Sequence, residues 1–218
     1  MNRLASSAVE ETSRDLVPAV RARLTRFCAQ PGEHARFLNM LSLMEHIGSR
    51  KIMLSQEKAE LAQTTLRHLA EETRHAYFFK RQAEKLARRR LSFSDADTVA
   101  PAPARAYMGR LDAAISRGLS RAAPELPYLY MSLIVELRAV WFYRLYEETL
   151  DEQQASLSLK SVLAEENLHL DAMLARLGEM DPDVLRRLEE FGSFEDARFR
   201  SLWRAVDEDA GAERLAAE

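Results

Sequence analysis

Apolar residues recur along most of the chain at the spacing of an α-helix. In the segment 58–89, for example, Leu69, Phe79 and Ala83 fall close to one face of a 3.6-residue repeat. The same kind of pattern predicts the remaining helices, over about 7–29, 33–56, 105–120, 125–152 and 156–177. The sequence therefore predicts an all-α protein.

Glycine and proline indicate where these helices end. Pro31 and Gly32 separate the first two helices, and Gly178 is the expected C-terminal cap of the helix 156–177. The stretch 91–103 is rich in Ser and Asp and contains two prolines, which predicts a loop. After residue 182 we expect two amphipathic helical pieces that are divided at Gly192.

The length, composition and charge of the chain limit the classes of protein to which it can belong. A chain of 218 residues with 47% apolar content can bury one substantial core, so we predict a single domain over 1–218. The seven glycines and seven prolines are few for this length, which favours helices. A net charge of −3 gives no overall attraction to nucleic acid. We interpret the local basic run as a solvated helix end; it consists of Arg81, Lys85, Arg88, Arg89 and Arg90.

Cysteine usage and hydropathy predict a cytoplasmic protein. The single Cys28 excludes an internal disulfide framework, and the first thirty residues lack the apolar core of a signal peptide. In the most apolar stretch, 128–146, Glu136, Arg138 and Arg144 interrupt the run, whereas a membrane span needs about 20 predominantly apolar residues. We expect this stretch to be a buried helix that carries a functional carboxylate, and we expect no membrane partner.

One six-residue motif occurs twice. Residues 70–75 and 164–169 share the pattern Ala-Glu-Glu-x-x-His. A predicted helix with one acid on its apolar stripe precedes each copy: Glu45 lies 27 residues before Glu72, and Glu136 lies 30 residues before Glu166. The chain thus contains two similar helix pairs.

These pairs have the chemistry of a metal site. Residues three apart share a helix face, so each motif can aim its second glutamate and its histidine at one point. Four carboxylates buried together need neutralising cations, and two divalent ions would bring the charge to about zero. Carboxylate and imidazole ligands suit iron or manganese. The sequence predicts two irons, two manganese ions or a mixed pair, held by Glu45, Glu72, His75, Glu136, Glu166 and His169.

This ligand pattern resembles that of the ferritin-like di-iron carboxylate proteins, which include bacterioferritins, di-iron oxygenases and ribonucleotide reductase small subunits. Those proteins take one Glu from each of two helices and one Glu-x-x-His from each of the other two. The resemblance implies a four-helix bundle with a long crossover, a core over about 33–89 and 125–178, and extra helices at the N terminus and over about 181–215. It also implies that Glu72 and Glu166 bridge the metals.

The same resemblance assigns roles to some residues around the six ligands. The roles of other neighbouring residues stay open. Multicomponent oxygenases of this superfamily place an acid before the ligand glutamate to orient a histidine, and Glu71 and Glu165 occupy that position here. Arg74 matches an arginine of their first motif, whereas the second copy departs from it with a leucine. Tyr143 and Phe79 either line a pocket or pack in the core. His68 is interpreted as a core histidine outside the site, and Gly48 either leaves room for a substrate or allows close helix packing.

The function that the resemblance implies is an O2-activating di-iron oxidoreductase, of the oxidase or monooxygenase kind, acting on a small organic substrate. We expect no catalytic residues beyond the metal ligands. The single cysteine excludes a rubredoxin module, so the electron donor must be separate. Alternatives are a ferritin-like iron-binding, ferroxidase or storage protein, a tRNA-modifying hydroxylase, and a non-catalytic helical protein. The oligomeric state stays open, with a homodimer as one option.

Overall fold

The secondary structure is entirely helical in the computed structural model, which describes residues 2–55, 62–119, 122–123 and 125–217. This part of the chain holds eight α-helices and a short 3₁₀ helix at Arg14–Leu16. The α-helices are α1 (Asn2–Thr12), α2 (Val17–Ala29), α3 (Pro31–Ser55), α4 (Gln63–Ala87), α5 (Pro101–Gly118), α6 (Leu126–Glu152), α7 (Lys160–Met180) and α8 (Val184–Ala217). None of the helices described has the length and apolar character needed to cross a membrane. The all-α prediction is confirmed for the described residues.

Residue contacts group the helices into two compact units whose segments alternate along the chain. The α3–α4 unit consists of Thr25–Gly109 and Arg198–Glu218, and the α6–α7 unit consists of Met1–Leu24 and Arg110–Ala197. Each unit is therefore assembled from two separate stretches of sequence. The single-domain organisation over 1–218 stays a prediction.

Helices α3 and α4 pack against each other in opposite directions. Ser42 Oγ on α3 donates a hydrogen bond to the carbonyl oxygen of Ala76 on α4 at 2.8 Å, and Lys80 Nζ donates to Asn39 Oδ1 at 2.8 Å. Residue numbers fall along α3 as they rise along α4, so the pair is antiparallel. Both helices bury apolar side chains, among them Phe37, Leu38, Leu41, Phe79 and Ala83.

Polar contacts hold the connection after α4 onto the same unit. Asn39 Nδ2 donates to the carbonyl oxygens of Ser92 and Asp97 at 2.7 and 2.9 Å. The Arg89 guanidinium donates to the Asp97 carboxylate at 2.6 Å, and this hydrogen bond holds the pKa of Asp97 well below its usual range. One member of the predicted basic run therefore pairs with an acid of its own unit.

Helix α6 is buried on nearly every side, and charged residues on it have specific partners. Arg138 donates through Nε and Nη2 to the Glu195 carboxylate on α8, at 2.8 to 3.0 Å. Glu147 accepts hydrogen bonds from Ser158 Oγ at 2.8 Å and from the Leu159 amide, both just before α7. At the other end of α7, the Tyr130 hydroxyl donates to Asp181 at 2.6 Å. These contacts make α6 and α7 an antiparallel pair.

Two predicted helix boundaries near the N-terminal ends differ from the structure. The segment 7–29 is not one helix, because Ser13 interrupts it between α1 and the 3₁₀ turn, where its buried hydroxyl accepts a hydrogen bond from Arg138. Helix α5 begins at Pro101, inside the predicted loop, because the first turn of a helix tolerates proline. The predicted start of a helix at residue 58 lies outside the described residues.

Two glycines that were predicted to end helices lie inside them. Helix α7 continues through Gly178 to Met180, and α8 continues through Gly192. Phe191, Phe199 and Trp203 keep helical spacing past Gly192 and are buried. Burial of this stripe outweighs the roughly 1 kcal/mol that a glycine costs in a helix interior. The predictions of a cap at Gly178 and a break at Gly192 were wrong.

Candidate metal centre

The α3–α4 unit brings together three of the predicted ligands. Glu45 lies on α3, and Glu72 and His75 lie on α4, with 9, 6 and 2% of their surfaces exposed. Each offers one ligand atom within 4.8 Å of the atoms offered by the other two, and His75 Nδ1 lies 3.8 Å from Glu72 Oε1. The three-residue spacing on α4 aligns Glu72 with His75, and the antiparallel packing of α3 supplies Glu45. We call these three residues the first half-site.

The α6–α7 unit brings together the other three. Glu136 lies on α6, and Glu166 and His169 lie on α7, with 4, 2 and 4% of their surfaces exposed. His169 Nδ1 lies 3.5 Å from Glu166 Oε2 and 3.7 Å from Glu136 Oε1. We call these residues the second half-site. Both half-sites thus consist of two buried carboxylates and one buried imidazole on an antiparallel helix pair.

The distances inside each half-site suit metal ligands. Nitrogen-to-oxygen separations of 3.5 to 3.8 Å are longer than ordinary hydrogen bonds, which span about 2.7 to 3.2 Å. They are shorter than about 4.2 Å, which is twice the bond that a first-row divalent ion makes to imidazole or carboxylate. An imidazole and a carboxylate at this separation can therefore bind one ion. Carboxylate and imidazole donors without any thiolate favour iron or manganese.

Gly48 on α3 lies next to the first half-site. A Cβ atom placed on Gly48 would lie 3.5 Å from Glu72 Oε2, so the glycine faces this carboxylate directly. Ser42, two turns earlier, is committed to its hydrogen bond with Ala76. An ordinary contact distance fits both interpretations of Gly48, so room for a substrate stays a prediction there, while close helix packing explains Ser42.

His68 is a buried histidine beside the predicted ligands. Its spacing in the sequence was interpreted as that of a core residue outside the site. It is 6% exposed on α4, and its Nε2 lies 3.5 Å from Glu72 Oε1. The signal was its position one turn before Glu72, which puts both side chains on one helix face. A histidine at such a position packs equally well as a plain core residue, so spacing alone could not decide.

The residues assigned around the ligands lie in different environments. Glu71 is partly exposed and lies 3.9 Å from Arg67 Nε, Glu165 is also partly exposed, and Arg74 is exposed. Their role in orienting histidines stays a prediction. Phe79 in the α3–α4 unit and Tyr143 in the α6–α7 unit are buried, with 0 and 4% exposure. Both positions fit core packing, and the predicted pocket role of each stays a prediction.

Comparison with known proteins assigns this chain to no family. No family model matches it, and no curated protein or solved structure matches it either. The ferritin-like resemblance therefore rests on the ligand motif and on the helical architecture. What the structure itself supports is that buried His and Glu residues could hold a metal ion.

Proposed function

We propose that the protein is an O2-activating oxidoreductase with a dinuclear iron centre that oxidises a small organic substrate. The observation that carries the proposal is that the same ligand set, two buried glutamates and a buried histidine, occurs twice, each time from one copy of the repeated motif and one glutamate of the preceding helix. The proposal joins the two half-sites into one centre of six ligands. It takes this step from the repeat and from the resemblance to ferritin-like four-helix bundles.

Each ligand has a role in this proposal. Four carboxylates balance the charge of two divalent ions, so that the buried centre is close to neutral. By the resemblance, Glu72 and Glu166 would be ligands of both ions, Glu45 and His75 would complete the ligands of one ion, and Glu136 and His169 would complete those of the other. Burial of both half-sites keeps bulk water away from the oxidising chemistry. We expect substrate or O2 to approach Glu72 from the side of Gly48, whose added Cβ would lie 3.5 Å from Glu72 Oε2.

The reaction needs a reductant from outside the chain. Two ferrous ions, when bound, would provide the electron transfer to O2 that the protein side chains alone cannot perform. In a monooxygenase reaction one oxygen atom enters the substrate and the other leaves as water, and a separate donor provides two electrons and two protons. We expect that donor to be another protein or a small reductant.

Metal analysis and O2 uptake together test the proposal. Protein purified from its own host should contain two irons, or an iron and a manganese ion, per chain by mass spectrometry. After anaerobic reduction, the protein should consume O2 when it is mixed with aerated buffer, as followed with an oxygen electrode. Glu136→Ala should lose both metal and uptake. Glu147→Gln, which changes another buried glutamate on α6 whose partners are Ser158 and Leu159, should keep both.

The same samples separate the alternatives. An iron-storage protein would form a large hollow oligomer in light scattering and take up many irons per chain. A helical protein with an incidental ion would bind metal stoichiometrically without redox turnover. Reduced, iron-loaded protein that consumes no O2 would refute the proposed function.

A further inference from the structure

The two motif copies differ at one buried position. Aligned on their histidines, residues 68–75 and 162–169 share Leu, Ala, Glu, Glu and His, and this alignment pairs His68 with Val162. Both of these side chains are buried, at 6 and 3% exposure. The other differences, at residues 73 and 74 against 167 and 168, fall on exposed or partly exposed positions. The buried parts of the two motifs therefore differ by one imidazole.

That imidazole lies beside Glu72, one of the carboxylates of the first half-site. Its Nε2 is 3.5 Å from Glu72 Oε1, the same oxygen that lies 3.8 Å from His75 Nδ1. Glu72 thus has an imidazole nitrogen one turn before it and another one turn after it. Both separations fall in the range in which two donors can bind one ion, and both exceed ordinary hydrogen-bond distances.

We propose that His68 is a seventh metal ligand, so that the two metal positions of the centre are chemically different. This inference rests on the proposed function, because it assumes the dinuclear centre. A neutral imidazole adds a donor without adding charge, so the balance between four carboxylates and two divalent ions is kept. The position with the extra nitrogen should prefer iron over manganese more strongly than the position with more oxygen ligands. A repeat that is symmetric in sequence would then hold an asymmetric metal pair.

His68→Val tests this directly, because it gives the first motif the residue that the second motif carries. The histidine nitrogens bound to metal are counted by X-ray absorption or pulsed EPR spectroscopy, and the affinity of each ion by titration with iron(II). We expect one histidine nitrogen fewer and an affinity for one of the two ions that falls at least about tenfold. The control is His34→Gln, which changes a buried histidine on α3 about three turns before Glu45 and should alter neither quantity.

His68→Gln keeps the test decisive if the valine variant folds poorly. Glutamine preserves a hydrogen-bonding side chain next to Glu72 but removes the imidazole, so the nitrogen count should again fall by one. An unchanged count and unchanged affinities in a folded variant, with two ions still bound, would overturn the role of His68 and leave the proposed function standing. Wild-type protein that binds no metal would overturn both.

Discussion

Replacing Glu166 by glutamine should stabilise the metal-free protein even though it removes a ligand. Oxygens of Glu166 and Glu136 lie 3.5 and 3.7 Å from His169 Nδ1, so these oxygens are no more than about 7.2 Å apart. Two charged carboxylates at that distance repel each other by about 2 kcal/mol or more at an effective dielectric constant near 20. Glu166→Gln removes one charge at nearly constant volume. The free energy of unfolding should rise by about 2 kcal/mol, which is about 4 °C in midpoint for 218 residues.

When metal is bound, wild-type protein should unfold at a higher temperature than Glu166→Gln, which is the reverse of the order without metal. A ligand present at a hundred times its dissociation constant stabilises the folded state by about 2.7 kcal/mol, or about 6 °C here. Wild-type protein should show this rise when iron(II) is added anaerobically, and Glu166→Gln should show little of it. Thermal unfolding followed by far-UV circular dichroism, after chelation and then with metal, measures all four midpoints.

A matched buried glutamate provides the control. Glu147 lies on α6 with 7% exposure and accepts hydrogen bonds from Ser158 and Leu159. Glu147→Gln should lower the metal-free midpoint, because it weakens these hydrogen bonds, and should leave the metal-induced rise unchanged. The reasoning fails if metal-free Glu166→Gln is less stable than wild type and metal raises both midpoints equally.

The remaining predictions concern buried charges outside the centre. Burial lowers the pKa of His34 from 6.5 to about 4, so between these values the unfolded chain binds a proton that the folded protein does not. Wild type should therefore lose about 2 kcal/mol more stability than His34→Gln between pH 7 and pH 5 in urea unfolding, and equal losses would contradict this. Arg138→Met leaves the Glu195 carboxylate buried without the Arg138 guanidinium. It should lower the free energy of unfolding by about 3 to 5 kcal/mol and the unfolding midpoint by about 9 °C. Arg186→Met, at an exposed ion pair, should shift the midpoint by no more than about 2 °C, and similar shifts for both arginine variants would refute the contrast.

Local spacing predicted the part of the site that depends on one helix. The pairs Glu72 with His75 and Glu166 with His169 follow from residues three apart on a helix, and the structure places both members of each pair close together. The position of Glu45 beside this pair depends on which helix packs against α4, and local spacing does not specify that. Its place on an apolar stripe predicted the right face, since a single acid among apolar positions points to the core.

Helix ends and His68 were beyond what the sequence could decide. Gly178 and Gly192 are helix-ending signals of roughly 1 kcal/mol, and the burial of neighbouring apolar side chains is larger than that. The cost of a glycine in a helix depends on the local sequence, whereas the burial energy depends on which helices pack together. The balance between them is therefore decided only in the folded protein. His68 shows the same limit, because its distance to Glu72 depends on a side-chain rotamer that spacing does not specify.

The alternation of the two units along the chain sets the order in which the ribosome can complete them. Helices α3 and α4 have both been synthesised by residue 87, but their unit also needs the segment that begins at Arg198. At about 5 to 20 residues per second, the hairpin waits roughly 5 to 20 seconds for that segment. Glu45, Glu72 and His75 are all synthesised before that segment. A nascent chain can therefore meet metal ions while it carries this complete ligand set and before the whole unit has been made.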